Sequence, residues 1–357
     1  MVSNIYENKN YKLLLVLPLL LMAASLYLVF GVGLTQGIDL RGGLLFTVFT
    51  NEGSTAELVV VLPDAEIRSF DGPGGRGFEI QLPNNPDLEQ AEVLYKELIS
   101  LDSDLARAEV TQGEEATVVE LNQEISSRFS ELSGLVGFSG VAPSDAHKKL
   151  ELVSELFSSA KSEYRQELVS KISSVVTIDS YSFKEVGSSL SKFFLNKTSE
   201  IVLWSFILSS ILVFIIFRKL APSLAVIFGV VADIVITLGA MVLFNIPLSL
   251  ASVAALLMLI GFSLDTDVML TVRVIKRKEG TPVTRVWNAL KTGLLMNITT
   301  VVAFGVLTLL AITLQIPTYY QIGAVAVIGG AVDFVATWAG NAVLILWSLE
   351  GNKHESA

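Results

Sequence analysis

Four aspartates interrupt runs that are otherwise apolar. Asp233 lies in AVIFGVVADIVITLG, Asp265 and Asp267 in LLMLIGFSLDTDVML, and Asp333 in GGAVDFVATW. A charged side chain at bilayer depth costs at least about 2.5 kcal/mol and marks an ion path or a paired site. Burial disfavours the charged form of an acid, and a nearby cation favours it. An acid balanced between the two loads and releases protons near neutral pH, so proton binding is the chemistry these residues suggest. Asp265 and Asp267 project about 200° apart on a helix, so they cannot both face one partner. Asp265 is expected to be the principal proton site. Its alternative is a structural hydrogen bond to Asn297, Thr299 or Thr300 of the following run. Asp267 is expected at the inner helix end, paired with Arg273 or Lys276. Asp233 and Asp333 come from separate runs at similar depth. Arg273, eight residues past Asp265 and about 80° round the helix, is the basic member of the candidate set. Gly229, Ala232, Gly239, Gly329 and Gly330 beside the acids permit close helix packing.

The elements that must carry these acids are membrane helices. The chain has 357 residues, 52% hydrophobic and only 17% charged. Six long apolar runs cover roughly 11–33, 201–217, 221–244, 248–272, 293–314 and 320–349. Each is near the ~20 residues a helix needs to cross a bilayer. No cysteine is present, so disulfides and thiolate metal sites are excluded. The two histidines, His147 and His354, have no ligand-spaced partner. No P-loop, GxSxG or HExxH motif occurs. The chain is therefore expected not to be an enzyme and to carry no cofactor or metal.

Basic residues set the orientation. Lys9, Lys12, Arg218, Lys219, Arg273, Lys276, Arg277, Lys278, Arg285, Lys291 and Lys353 flank one side of the runs; the loops NIPLS and LQIPTYY hold none. Both termini are expected in the cytoplasm and the long region 34–198 outside. That region has 26 acidic against 14 basic residues, a balance that does not favour nucleic acid. The first run, with MAAS inside it, is longer than a cleaved signal's core and reads as a retained anchor.

The expected division is 1–33 for the N-terminus and first helix, 34–198 for an extracytoplasmic α+β domain, 199–349 for five more helices, and 350–357 for a tail. Within the domain, LLFTVFT reads as a strand. AEIRSF and GFEIQL around DGPGGR read as a hairpin. NPDLEQAEVLYKELIS opens as a helix. A helical insertion covers about 114–172, and SVVTIDSYSF returns to strand character. Strands at both ends suggest that the first and last are neighbours.

GIDLRGG, just past the first helix, resembles the Asp-x-x-Gly-Gly signature of the SecD/SecF protein-export family. KEVGSSLSK is similar to the family's lead into its second helix, ADIVITLG to its third, and GFSLDTDVMLTVRVIKR to its fourth and the basic loop after it. DLRGG itself is nearer the SecD form. The fourth helix and AVDFVATWAGNAVLILW are more similar to archaeal SecF. The acid stands one residue away from its place in bacterial SecF.

The resemblance implies one six-helix half of a resistance-nodulation-division unit. Such a half would pair with a SecD-like six-helix partner as a heterodimer in the lipids of the cytoplasmic membrane. It would serve the Sec channel and a translocating polypeptide, with export coupled to the proton gradient. A lipid or small-molecule exporter half, or a non-transporting scaffold for the Sec complex, would use the same architecture. Asp39, Arg41, Gly42 and Gly43 are the structural motif. The glycines are expected to turn the backbone sharply at the helix exit, with Asp39 accepting backbone hydrogens there.

Overall fold

The computed structural model describes residues 4–8, 10–51, 53–72, 75–110, 115–277, 279–314 and 316–355, with backbone only at 70–72, 75 and 351–355. Lys9, Lys278, the Lys353 side chain and the Pro73-Gly74 turn therefore lie outside the described residues. The chain divides into two compact units. One comprises Met1–Arg41 and Lys192–Ala357 with Gly72–Gly74; the other comprises Gly42–Asp71 and Gly75–Ser191.

The first unit is the membrane bundle. Its first span, Tyr11–Val32, contains α1 (Val16–Tyr27) and ends in a π-helical turn. A single helical turn, α2 (Ile38–Arg41), follows and holds Asp39 and Arg41. The amides of Leu40 and Arg41 both donate to the Gly37 carbonyl.

The second unit contains a four-stranded sheet. Its elements are β1 (Gly43–Phe49), α3 (Thr55–Val61), β2 (Glu66–Gly72), β3 (Gly75–Leu82), α4 (Pro86–Val110), α5 (Glu115–Leu135), α6 (Ala146–Ser173) and β4 (Ser180–Val186). The strand order is β2-β3-β1-β4, with β1 antiparallel to both neighbours. First and last strands are indeed adjacent, with Phe46 opposite Phe183. Leu44, Phe46 and Val48 alternate onto one face of β1 and pack with Leu58 of α3 and Leu168 and Ile172 of α6. This is a β-α-β-β-α-β arrangement.

Helices α4, α5 and α6 enclose a second core built on Leu98, Leu105, Ile125, Leu132 and Val153. The helical insertion thus has apolar contacts of its own. The sequence reading missed α3, whose TAELVVV carries three valines and looks like strand. The Ser54 hydroxyl caps it by accepting from Ala56 N. β4 begins six residues later than SVVTIDSYSF suggests, because 174–176 first close the end of α6.

At the start of β1 the chain turns as expected. Gly42 and Gly43 have φ of +81° and +129°, and a Cβ on Gly43 would lie 2.2 Å from the Leu82 carbonyl oxygen.

Helices α7 (Ser188–Phe217), α8 (Leu220–Leu243), α9 (Leu250–Lys276), α10 (Pro282–Leu314) and α11 (Pro317–Val335) supply four further spans and most of a fifth. The last span is not one continuous α-helix. After α11 the backbone winds as a π-helix over Ala336–Asn341 and resumes as α12 (Ala342–Glu355). Among the described residues, six helices are long and apolar enough to cross a membrane. In α8, α9 and the last span about half of the apolar window is buried, so these helices form the bundle's interior.

Candidate functional site

Three of the four aspartates meet inside the bundle. Asp233 of α8 and Asp267 of α9 are 0% exposed, and Asp333 of α11 is 2% exposed. Each is presented by local structure. On α9, Ser263, Asp267 and Thr271 recur every four residues and form one polar arc. The Ser263 hydroxyl donates to Asp233 Oδ2 across the α8–α9 contact. Gly229 of α8 makes room for Asp267: a Cβ there would lie 2.2 Å from Asp267 Oδ2.

The π-helical turn supplies the donors. Asn341 Nδ2 donates to Asp267 Oδ1 at 2.7 Å, and Thr337 Oγ1 lies 2.9 Å from the same oxygen and 3.1 Å from Asp333 Oδ1. Asn297 of α10 donates to Asp333 Oδ2 at 2.9 Å. Asp333, Thr337 and Asn341 are spaced by four. In an α-helix each such step overshoots a full turn by about 40°. A π turn rotates less per residue and offsets the overshoot, so both donors stay on the Asp333 side.

The arrangement has protonic consequences. A hydroxyl has one proton to donate. Thr337 touches two carboxyls and can donate to only one of them. Asp233 and Asp333 lie close enough for their charges to interact, and a direct bond between two carboxyls would need a proton between them. Asp233 Oδ1, Thr237 Oγ1, Asp267 Oδ2 and Asn341 Oδ1 are buried with no hydrogen-bond partner among the described residues. Among the described residues, no basic side chain pairs with any of the three acids. Three uncompensated negative charges could not be held in such an interior.

The remaining candidates lie elsewhere. Asp265 is on the exposed side of α9, outside the cluster. Its expected partners are otherwise engaged: Asn297 serves Asp333, while Thr299 and Thr300 both donate to the Met296 carbonyl of their own helix. Of the two neighbouring acids the structure buries Asp267 and leaves Asp265 exposed, and Asp267 bonds Thr337 and Asn341 rather than the Arg273 or Lys276 expected. Arg273 donates to Thr292 Oγ1 of α10 at 2.7 Å and, among the described residues, pairs with no acid. Sequence reasoning did not select Ser263, Thr337 or Asn341 as site residues. Their spacing of four from an intramembrane aspartate was the available signal.

Comparison with known proteins agrees with this architecture. Residues 167–350 match the family described as protein export membrane protein SecD/SecF, C-terminal. The protein-export membrane protein SecF of Methanothermobacter thermautotrophicus is 45% identical over 176 residues, which is 49% of this chain and 61% of that relative. SecF of Methanocaldococcus jannaschii is 33% identical over 246 residues, covering 66% of this chain and 84% of the relative. The fold resembles the crystal structure of SecDF, a translocon-associated membrane protein from Thermus thermophilus. Its TM-score is 0.59 at 16% identity, over 95% of this chain and 38% of that one.

Proposed function

Because the chain belongs to the SecD/SecF protein-export membrane protein family, we propose that it is an accessory subunit of Sec protein translocation, coupling export to proton movement through Asp233, Asp267 and Asp333. The observation that carries this reading is the convergence of three carboxyls from three helices with no cation among them. Protonation and release would switch how α8, α9 and α11 pack. Ionising more than one of the three would bring like charges together, and a proton on one carboxyl would let it donate to a neighbour.

The proposed orientation has both termini in the cytoplasm and the β-sheet unit outside. The proposed partner is a SecD-like six-helix bundle. Its seat is the α9 face that carries Asp265, since an ionisable side chain on a lipid-facing surface needs covering.

Membrane vesicles test the reading. Export of a Sec substrate is measured with and without an imposed proton gradient. Asp267→Asn and Asp333→Asn should insert and assemble yet lose the gradient-dependent part of export. Retention of that part in both stable variants would sink the coupling reading and leave a scaffold.

A further inference from the structure

The N-terminal segment reaches the same π turn. Asn4 caps a short 3-10 helix, Ile5–Glu7, by accepting from Tyr6 N at 3.1 Å. Tyr6 is 1% exposed and packs with Leu270 and Val274 of α9, Val286 and Ala289 of α10, and Trp338. Its hydroxyl donates to the Trp338 carbonyl at 2.7 Å. Trp338 is the residue directly after Thr337, inside the π turn. There the Ala342 amide reaches back to the Thr337 carbonyl instead of the Trp338 carbonyl one residue on. A π turn set in an α-helix leaves one more carbonyl than there are amides to meet it. An unmet buried carbonyl is costly, and Tyr6 brings an outside donor to one within the turn. Burial pushes the Tyr6 phenol well above its ordinary value, so it stays a donor.

We propose that Tyr6 is a positioning residue for the acid cluster: it pins the N-terminal segment to the π turn and thereby holds Thr337 and Asn341 on Asp267. The cluster is the one the proton-coupling reading uses, and in that respect this inference rests on it. Leu270 lies three residues, about one turn, past Asp267 on α9. The apolar cluster that holds Tyr6 therefore begins about one turn beyond Asp267 on α9. Movement of residues 4–8 would be transmitted to the proton site through a single hydrogen bond.

The test uses the full chain in nanodiscs, with hydrogen–deuterium exchange of the 337–343 amides and pH-dependent modification of Asp267 by a hydrophobic carbodiimide. Tyr6→Phe keeps the ring and removes only the donor. It should speed exchange in that segment by about fivefold, the factor one ordinary hydrogen bond is worth. It should also let the Asp267 carboxyl hold its proton to higher pH, since two donors to its charged form are loosened. Asn4→Ala, which frees the turn presenting Tyr6, should shift both in the same direction. Val286→Ala trims the same apolar cluster and leaves the Tyr6–Trp338 bond, so it should shift neither. Unchanged exchange in Tyr6→Phe overturns the proposal. Equal effects in Val286→Ala overturn it too, by showing packing alone. If Asp267 never titrates even in the unaltered protein, the coupling reading fails, and the exchange measurement still decides the role of Tyr6.

Discussion

At the scale of single residues, the two neighbouring aspartates of α9 are chemically alike and structurally opposite. Asp267 is buried among donors from the π turn, and Asp265 faces outward. Asp265→Asn should therefore leave gradient-dependent export largely intact where Asp267→Asn abolishes it; a reversed order in the same vesicle assay would contradict the assignment. Gly229 is a second sensitive position. Gly229→Ala places a methyl where Asp267 Oδ2 stands and should cost about 1–3 kcal/mol as overpacking. A thermal melt of the purified protein would check this; an unchanged melting temperature would show that Asp267 has room to move. The four acids were legible in the sequence because they interrupt runs that are otherwise apolar. Which of the α9 pair faces inward was not. Depth along a helix can be counted, but rotation is fixed by neighbours, here Gly229 and Asn341. The Ser263-Asp267-Thr271 ladder was the available hint.

At the scale of elements, the π turn decides the site. Deleting Ala339 would restore α-helical bonding and swing Asn341 about 100° round the axis. That variant should still insert yet lose gradient coupling as Asp267→Asn does, and preserved coupling would show that the turn's winding is incidental. The six spans were readable from length and apolarity. The break within the last was not, because VATWAGNAV contains no proline and its glycine alone does not specify a π turn. The opposite difficulty hid α3, whose valines favour strand while its capping serine and its packing on the sheet favour helix.

Between α4 and α6, His147 Nδ1 lies 2.6 Å from Asp102 Oδ1, with Glu109 3.8 Å from Nε2. The Asp102 charge beside it holds the imidazole above its ordinary value of 6.5, with Glu109 and Asp145 adding to the effect. A raised value means this contribution to stability is complete below pH 6.5 and fades as pH rises through the folded-state value. The side chain is 47% exposed, so solvent screening keeps the pair within about 1 kcal/mol. His147→Gln should flatten the corresponding part of the melting temperature's pH dependence. An unaltered profile would show that the pair contributes nothing.

At the scale of the whole molecule, the order of one helix, a mixed α/β unit and five helices followed from the apolar runs and the polar stretch between them. Sidedness rests on basic residues alone. The chain has no cysteine, so a single cysteine replacing Ser103 or Glu279 is a unique reporter. Impermeant reagents should label the first from outside and the second only from the cytoplasm; labelling of both from one face would overturn the orientation. The intramembrane exposure of Asp265 adds an expectation for assembly. A photo-crosslinker replacing Gly261, one turn from Asp265 on the same face, should capture a second six-helix protein. Capture of lipid alone would remove the proposed seat.

Infrared titration of the chain in lipid reads proton exchange by the buried trio. A protonated-carboxyl band should change with pH across the physiological range and be altered by Asp233→Asn, Asp267→Asn and Asp333→Asn but not by Asp265→Asn. A band that is constant with pH, or that disappears only in Asp265→Asn, would contradict it.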